Sequence, residues 1–462
     1  MLVGLFLFVN LSFCLSSFSY TFTPLHLFVL CVFLPPLLSI WSLMSKNFIT
    51  TQRQIRRFVL NFGPQHPASH GVLRLVLQLQ GELIEKGDSN IGFLHRGTEK
   101  LIEQRIFIKS LPYFDRLDYV SMMSQEHAFC LGVESLLGTQ SFTALHIQIR
   151  TLFDELTRLL NHFLGISTHS LDVGNMSPVF WAFEEREKIM EFYERVSGAR
   201  MHAAFYRPND LDLSGVNSKL FSDIMYFCAN TTKIIIEIFT VLATNKIWKT
   251  RLVGVGVVSS KDATMFGASG VVARSAGIKK DMRLFRNTTY SYYWFMKVFS
   301  FLGCTGDSFD RFLIRVREML ESSEIADKLA LRLFYLFSNR PLVLRTRASF
   351  YSFFSNILRY QTLKYSTNGK NSSMEFLIEH FKYYSEGVRV PAGSVYRGVE
   401  APKGEFGVSI ISRNDTKPLR CKIRTPAYHH LQLMSKLIKS HYFVDMITIL
   451  GSMDIVFGEV DR

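Results

Sequence analysis

The chain has 462 residues, of which 53 are Lys or Arg and 39 are Asp or Glu, so its formal net charge at pH 7 is +14. This length can hold one large domain or several average ones, and the basic charge admits acidic proteins, anionic lipid or nucleic acid as partners. The six cysteines include no C-x-x-C pair, which argues against a zinc ribbon, a disulfide scaffold and a ligand set for an iron–sulfur cluster.

Residues 1–45 form a hydrophobic leader without any Asp, Glu, Lys or Arg. The leader is long enough for a membrane anchor, although Pro35 and Pro36 interrupt its second half. It lacks the arginines of an amphipathic import presequence. A chain start near Met44 is the alternative, because ordinary soluble composition begins at Lys46. Both interpretations of the leader stay open.

The region 46–118 is predicted to be an α+β unit built around a short, stiff loop that begins at Asn61. Two prolines in this loop fix φ and keep the residues before them out of the helical region. Alternating leucines follow the loop, as is typical of a half-buried strand. We therefore predict an antiparallel hairpin that holds His66 and His70 at its tip. Taken alone, a His-Pro-x-x-His pattern fits surface or capping histidines better than ligand-binding ones.

The region 119–336 is predicted to be a helical core, because its long segments carry apolar residues at helical spacing. One helix is expected to begin near Tyr119, and another at Ser177, where proline occupies the next position. Between two of these helices we predict a loop, residues 168–174. This loop carries an acidic residue, Asp172, in an apolar setting.

The C-terminal part combines an irregular segment with regular structure. Residues 337–373 are predicted to be an irregular, basic linker, and residues 374–462 an α+β region that completes the core. Gly254–Ser259 resembles a dinucleotide fingerprint but lacks the third glycine and a βαβ context, so we do not predict nucleotide binding there. The predicted fold class is α+β, predominantly α-helical, with a small N-terminal antiparallel sheet.

Several long stretches carry a resemblance to one family: Gly63–Arg74, His95–Lys100, Pro112–Met123, Trp181–Lys188, Glu191–His202, Glu400–Gly407 and Asp454–Arg462. From about residue 58 to its end, the chain resembles the hydrogenase-like large subunit of the quinone module of respiratory complex I, the NADH:ubiquinone oxidoreductase. The leader and residues 335–373 depart from the family pattern, and residues 259–280 match it loosely.

The resemblance implies a fold like that of the nickel–iron hydrogenase large subunit and a role as a core subunit of the proton-translocating NADH:ubiquinone reductase. It implies ubiquinone as substrate and an iron–sulfur partner subunit that holds a 4Fe-4S cluster. Other peripheral-arm and membrane-arm subunits are further implied partners, at the matrix face of the mitochondrial inner membrane. Nickel–iron hydrogenases hold their metal with two C-x-x-C pairs, which this chain lacks, so we expect no metal or cofactor bound by this chain alone.

The resemblance also implies roles for single residues. Three are expected to be catalytic: His70 and Tyr119 at the quinone headgroup, and Asp172 close enough to pair with His70. A carboxylate beside an imidazole favours the protonated form of the ring, so loss of a proton to quinone would leave Asp172 unpaired. The quinone cavity is expected to be lined by His66, Thr168, Phe180, Asp454 and Val456. Beside the partner's cluster we expect the basic residues Arg96, Arg116 and His202.

Two other functions compete with this interpretation. A non-catalytic scaffold subunit of the same complex would be expected to have lost His70, Tyr119 and Asp172, which are intact. A nucleic-acid-binding protein would account for the basic charge, but the sequence shows no RNP-type motif, zinc finger or basic run interleaved with aromatics. We therefore predict an enzyme subunit and no nucleic-acid partner.

Overall fold

The computed structural model describes residues 57–462 apart from 139–143, 209, 212, 214, 286–292, 294 and 339–373. The leader predicted over residues 1–45 and nearly all of the linker predicted over residues 337–373 lie outside the described residues. In the described parts the chain is mostly helical with small antiparallel sheets, which confirms the predicted α+β class. The boundaries predicted between regions stay predictions.

An N-terminal sheet of three strands carries the loop that contains the two histidines. The strands β1 (Arg57–Phe62), β2 (Arg74–Gln80) and β3 (Leu83–Asn90) pair antiparallel in the order β1-β2-β3. The predicted hairpin is therefore confirmed. Alternate residues of β2 point into the core, as half-buried strands require, and these are Leu75, Leu77 and Leu79.

Two short helices, α1 (Thr98–Gln104) and α2 (Phe107–Asp115), lead from the sheet into the helical core. The long helices of the core are α3 (Met122–Leu137), α4 (Ala144–Asp172), α5 (Ser177–Ser197), α6 (Ser218–Thr244) and, further along the chain, α10 (Ser308–Ser338). Between the last two lie α7 (Lys246–Leu252), α8 (Ser260–Met265) and α9 (Gly270–Ser275). A minimal pair of strands, β4 (Tyr206–Arg207) and β5 (Asp210–Leu211), follows α5.

Helix α4 runs through the middle of the core and is longer than predicted. Its apolar stripe is buried, and so are charged side chains on its other face, where Arg158 lies 3.5 Å from Glu155. The loop predicted over residues 168–174 is wrong for its first five positions, because the helix continues to Asp172. The hydroxyl of Thr168 hydrogen-bonds back to a carbonyl of the preceding turn, so this polar residue is accommodated without ending the helix.

Helix α6 is, among the described residues, the one helix long and apolar enough to cross a membrane, judged by length and composition only. It packs along α10, and its inward-facing side chains join the main hydrophobic core. These include Leu220, Phe221, Ile224, Ile235 and Ile238.

The glycine-rich segment Gly254–Ser259 lies between α7 and α8 and contains no strand. The βαβ context of a dinucleotide site is therefore missing there, in agreement with the sequence. The segment is contacted by a buried arginine of the same chain. The guanidinium of Arg311 donates a hydrogen bond to the carbonyl of Gly256 at 3.0 Å.

The C-terminal region contains helix α11 (Met374–Ser385), strands β6 (Gly393–Ala401), β7 (Gly404–Ser412) and β8 (Arg420–Arg424), and helices α12 (Pro426–Leu437), α13 (Phe443–Met453) and α14 (Phe457–Asp461). Its strands form a second antiparallel sheet in the order β6-β7-β8, in agreement with the α+β character predicted for this region. The three C-terminal helices share one hydrophobic cluster with the N-terminal sheet. The two ends of the described chain therefore meet, and the candidate site lies where they do.

Candidate active site

His70 ends a loop whose shape is fixed by its own side chains. Residues 67–69 form a single 3₁₀ turn, and Nδ1 of His66 caps it by accepting a backbone hydrogen bond at 3.1 Å. The hydroxyl of Ser69 lies 2.7 Å from each of two loop carbonyls. His70 closes the turn with φ of 50°, in the left-handed region. The loop is therefore held by hydrogen bonds before any ligand arrives.

The structure brings together His70 and Tyr119, the two residues predicted at the quinone headgroup. Tyr119 lies in the turn between α2 and α3, and its hydroxyl is 3.2 Å from Nδ1 of His70. The ring of Phe457, at the start of α14, has its centroid 5.9 Å from that of the imidazole. A loop of the N-terminal sheet, a turn of the helical core and a C-terminal helix thus meet at one point.

Burial and nearby charges set the protonation of this pair. The His70 side chain is reached by solvent, as a substrate-binding group must be, yet the protein atoms around it lower its pKa by desolvation. Asp454 opposes that decrease, Lys403 adds to it and Asp118 again opposes it. Burial raises the pKa of Tyr119 to about 12. At pH 7 the imidazole is therefore neutral and the phenol keeps its proton.

The C-terminal tail contributes Asp454 and Val456 to the same place. Asp454 follows α13 in the left-handed conformation, with φ of 53°. Its Oδ2 accepts a hydrogen bond from Nδ2 of Asn161 at 2.8 Å and lies 3.4 Å from Nζ of Lys403. Val456 is buried and directly precedes α14. Because the charge of Asp454 acts on His70, the tail belongs to the electrostatic surroundings of the imidazole.

Asp172 stands apart from His70. It is the last residue of α4, and its carboxylate packs against α13, where a Cβ built on Gly451 would lie 2.9 Å from Oδ2. Burial alone raises the pKa of Asp172 to about 6. The carboxylates that act on His70 are those of Asp454 and Asp118. The predicted contact between His70 and Asp172 is therefore not formed among the described residues, although a role for Asp172 in the site stays a prediction.

The other predicted cavity residues differ in their surroundings. Thr168 is half-buried in α4, and its hydroxyl donates to the Leu164 carbonyl at 2.8 Å. Phe180, near the start of α5, is 69% exposed. His66 uses its Nδ1 within the loop, so only its Nε2 is left for a ligand. The part of these residues in a quinone cavity stays a prediction.

A second group of predicted residues, Arg96, Arg116 and His202, lies together and is called the basic face below. Burial lowers the pKa of His202, and the positive charges of Arg116 and Arg96 lower it further. Both arginines are exposed and line a recess of about 110 Å³ with Arg462. Such a cationic surface is suited to contact with a negatively charged group of a partner.

Two buried charged residues beside the site were not predicted from the sequence. Nζ of Lys403 lies 3.4 Å from Oδ2 of Asp118, the residue directly before Tyr119. Both lie inside stretches that carry the family resemblance, Glu400–Gly407 and Pro112–Met123, and this was the only available signal. Their separation along the chain conceals the ion pair, which only the folded chain reveals.

Comparison with known proteins decides the family. The sequence model of the respiratory-chain NADH dehydrogenase 49 Kd subunit matches residues 172–462. The NADH-ubiquinone oxidoreductase 49 kDa subunit of Paramecium tetraurelia is 51% identical over 88% of this chain and 100% of its own length. The chain belongs to the 49 kDa subunit family.

Other relatives in the 49 kDa family are similar over nearly their whole length. The NADH dehydrogenase [ubiquinone] iron-sulfur protein 2 of Arabidopsis thaliana is 47% identical over 89% of this chain and 100% of its own. The NADH-ubiquinone oxidoreductase 49 kDa subunit of Reclinomonas americana is 47% identical over 89% of this chain and 98% of its own. Membership confirms the predicted function: this 49 kDa family chain is a core subunit of the quinone module of NADH–ubiquinone oxidoreductase, respiratory complex I.

The described residues of this 49 kDa family member contain no group of three or more His, Cys, Asp or Glu side chains that could hold a metal ion. The cysteines in the described ranges, Cys130, Cys228, Cys304 and Cys421, are all unbonded. The His70–Tyr119 pair can take part in hydrogen bonding and proton transfer.

Proposed function

We propose that this chain forms the ubiquinone-reduction site of complex I together with an iron–sulfur partner subunit. The observation that carries the proposal is the hydrogen bond between His70 and Tyr119, accessible to solvent and backed by the charges of Asp454, Lys403 and Asp118. Reduction of a quinone to a quinol takes two electrons and two protons. A phenol hydroxyl and an imidazole N–H are donors suited to the two quinone oxygens.

The two donors differ in how they hold their protons. The Tyr119 hydroxyl stays protonated at any physiological pH, because burial raises its pKa to about 12. A second proton bound by His70 is readily given up, because burial lowers the pKa of the imidazole. We therefore assign to Tyr119 the hydrogen bond that orients one quinone oxygen, and to His70 the proton that is passed on. Tyr119 keeps its proton throughout, so both protons of the quinol pass through His70, which takes up each of them from solvent.

The basic face is proposed to lie beside the partner's 4Fe-4S cluster. The cluster supplies the electrons, and cationic groups next to it favour its reduced form. Two guanidinium groups and an imidazole on one accessible surface fit that task. Contacts with other peripheral-arm and membrane-arm subunits, coupling to proton translocation, a place at the matrix face of the mitochondrial inner membrane, and a fold like that of nickel–iron hydrogenases belong to the same proposal.

The quinone cavity itself is proposed to extend from the His70–Tyr119 pair along α4 and the C-terminal tail. Its walls would include Asp172, with the remaining members His66, Thr168, Phe180, Asp454 and Val456. Large apolar side chains are exposed near the start of α5, namely Met176, Phe180 and Trp181. Such side chains suit contact with an apolar quinone tail or with a partner subunit.

The proposal is tested by removing each donor in the assembled complex. Tyr119→Phe deletes one hydroxyl and keeps the packed ring, so NADH:ubiquinone reductase activity should fall on the order of tenfold to a hundredfold. His70→Ala should lower it at least as much. NADH oxidation by a small artificial acceptor reports assembly and should be unchanged. Tyr226→Phe, which alters a 74% exposed tyrosine on α6, is the matched control.

Full ubiquinone reductase activity in both assembled variants would remove the pair from the reaction. That result would favour the alternative, a non-catalytic scaffold subunit of the same complex.

A further inference from the structure

Lys403 is a lysine buried beside the site. It lies in the two-residue turn between β6 and β7, and its side chain is fully shielded from solvent. Lysines are rarely buried unless they are paired, because desolvating an ammonium group is costly. Here Nζ lies 3.4 Å from Oδ2 of Asp118 and 3.4 Å from Oδ2 of Asp454, and it donates a hydrogen bond to Oδ1 of Asn161.

The two carboxylates paired with Lys403 are connected to the proton donors Tyr119 and His70. Asp118 precedes Tyr119 in the chain, and its Oδ1 accepts the backbone N–H of Val120 at 3.1 Å. This contact fixes the turn that aims the tyrosine. Asp454 holds the C-terminal tail through Asn161. The charges that face His70 are those of these two carboxylates and of Lys403 itself.

A third acid, Glu459 of α14, belongs to this cluster. Burial raises the pKa of Glu459 well above its usual range, the negative charge of Asp118 adds to this effect, and the positive charge of Lys403 opposes it. The ammonium group of Lys403 therefore acts on three carboxyl groups, those of Asp118, Asp454 and Glu459.

The two carboxylates depend on Lys403 to different degrees. Asp454 also feels the positive charge of Arg315, which together with Lys403 outweighs the effect of burial and lowers its pKa. Within the described residues, Lys403 is the only cation at ion-pair distance from Asp118. Loss of the ammonium group would therefore leave Asp118 as an unpaired buried charge, which is strongly unfavourable.

We propose that Lys403 is a positioning residue for quinone reduction: its ammonium group pairs with Asp118 and Asp454 and holds them in place, and through them it fixes Tyr119 and His70. The inference rests on the proposed quinone site and adds to it a residue that touches neither substrate nor donor. Lys403 thereby limits how strongly His70 binds a proton. With the ammonium group removed, the remaining negative charge would hold the imidazolium more tightly.

The test is Lys403→Met in the assembled complex, which removes the charge and keeps the length of the side chain. We expect ubiquinone reductase activity to fall on the order of tenfold or more, mainly in kcat. The high-pH limb of its pH profile should move to higher pH, because removal of a positive charge strengthens proton binding by His70. The matched control is Lys280→Met. Lys280 is a half-exposed lysine whose partner, Glu405, keeps Arg424 as a second cation.

A second variant keeps the inference testable if Lys403→Met does not assemble. Lys403→Met combined with Asp118→Asn removes the ammonium group together with the carboxylate that depends on it. Restored assembly or activity in the double variant supports the role of charge. Failure of both variants to assemble would show that removing the unpaired charge of Asp118 does not compensate for the loss of Lys403, and would overturn the inference.

The result also separates this inference from the proposed function. If Lys403→Met keeps normal turnover and an unshifted pH profile while Tyr119→Phe and His70→Ala are impaired, the role of Lys403 is rejected and the quinone site stands. If Tyr119→Phe and His70→Ala are as active as the Tyr226→Phe control, the quinone site itself is wrong.

Discussion

The two three-stranded sheets each supply one connection to the site, and these connections differ in kind. The N-terminal sheet leaves one side partly open to solvent and contributes a long loop, residues 63–73, that carries the accessible His70. In the C-terminal sheet, β7 is buried along nearly its whole length, and the connection is the tight turn that carries Lys403. The group that meets substrate is therefore accessible, and the charge that tunes it is buried.

Two glycines show how much tighter the turn is than the loop. Gly404, after Lys403, has φ of 139°, and a Cβ there would lie 2.6 Å from Oγ of Ser269 and 3.1 Å from the backbone nitrogen of Gly270. Gly71, after His70, has φ of 74°, and a Cβ there would meet nothing within 4 Å. The turn is packed backbone to backbone against the start of α9, whereas the loop borders open space.

The largest effect is expected when the turn is disturbed. Gly404→Ala combines a backbone conformation that disfavours a side chain with an overlap at the Ser269 hydroxyl and close approaches to the backbone of Ser269 and Gly270. The expected destabilisation is about 2 to 4 kcal/mol. We expect the complex to assemble poorly, as measured by the amount of intact complex on native gels and by its thermal denaturation. Normal assembly with an unchanged midpoint would show that the turn yields more easily than its packing indicates.

A smaller effect is expected when the buried charge is altered but the turn is kept. Asp454→Asn preserves the shape of the side chain and removes a negative charge that raises the pKa of His70. The imidazole should then bind its proton more weakly. The high-pH limb of ubiquinone reductase activity should move to lower pH, opposite to the shift expected for Lys403→Met.

The control for this charge effect is Asp445→Asn, an aspartate in the first turn of α13 whose partner is Arg251. It should leave the pH profile unchanged. An equal shift in both variants would mean that the profile reports general charge rather than the cluster beside His70.

The parts of this fold that the sequence predicts are those set by local periodicity. Alternating leucines predict β2, and apolar stripes predict the long helices. Helix α2 was missed because Pro112 lies inside it, where proline normally interrupts a helix. The end of α4 was missed because Thr168 and Ser170 suggest a loop, whereas their hydroxyls bond to carbonyls of the same helix.

The candidate site likewise contains residues that the sequence predicts and contacts that it does not predict. His70 and Tyr119 follow from the family resemblance, and the structure places them in contact. The pairs of Lys403 with Asp118 and of Asn161 with Asp454 join residues that are far apart in the chain. No local pattern marks such pairs, because each depends on how whole sheets and helices pack. We expected Asp172 beside His70 because the sequence does not reveal how these sheets and helices pack.

A modest effect is expected when the loop, rather than the turn, receives an extra methyl group. Gly71→Ala costs only the left-handed backbone conformation, about 1 kcal/mol. The complex should assemble normally, with a slightly lower thermal midpoint than the wild type. A loss as large as that of Gly404→Ala would show that the loop is as tightly constrained as the turn, and the contrast between the two connections would fail.

The smallest expected effect is the energetic coupling between His70 and Asp172, which should be nearly zero. His70→Ala and Asp172→Asn should act additively on ubiquinone reductase activity, with a coupling energy below about 0.5 kcal/mol, because burial alone shifts the pKa of Asp172 and other carboxylates act on His70. The reference is the cycle of His70→Ala with Tyr119→Phe, where a direct hydrogen bond predicts a coupling of about 0.5 to 3 kcal/mol. All single and double variants are compared in assembled complex. Strong coupling between His70 and Asp172 would mean that turnover creates a contact absent from the described structure, and that the loop moves towards α4 during the reaction.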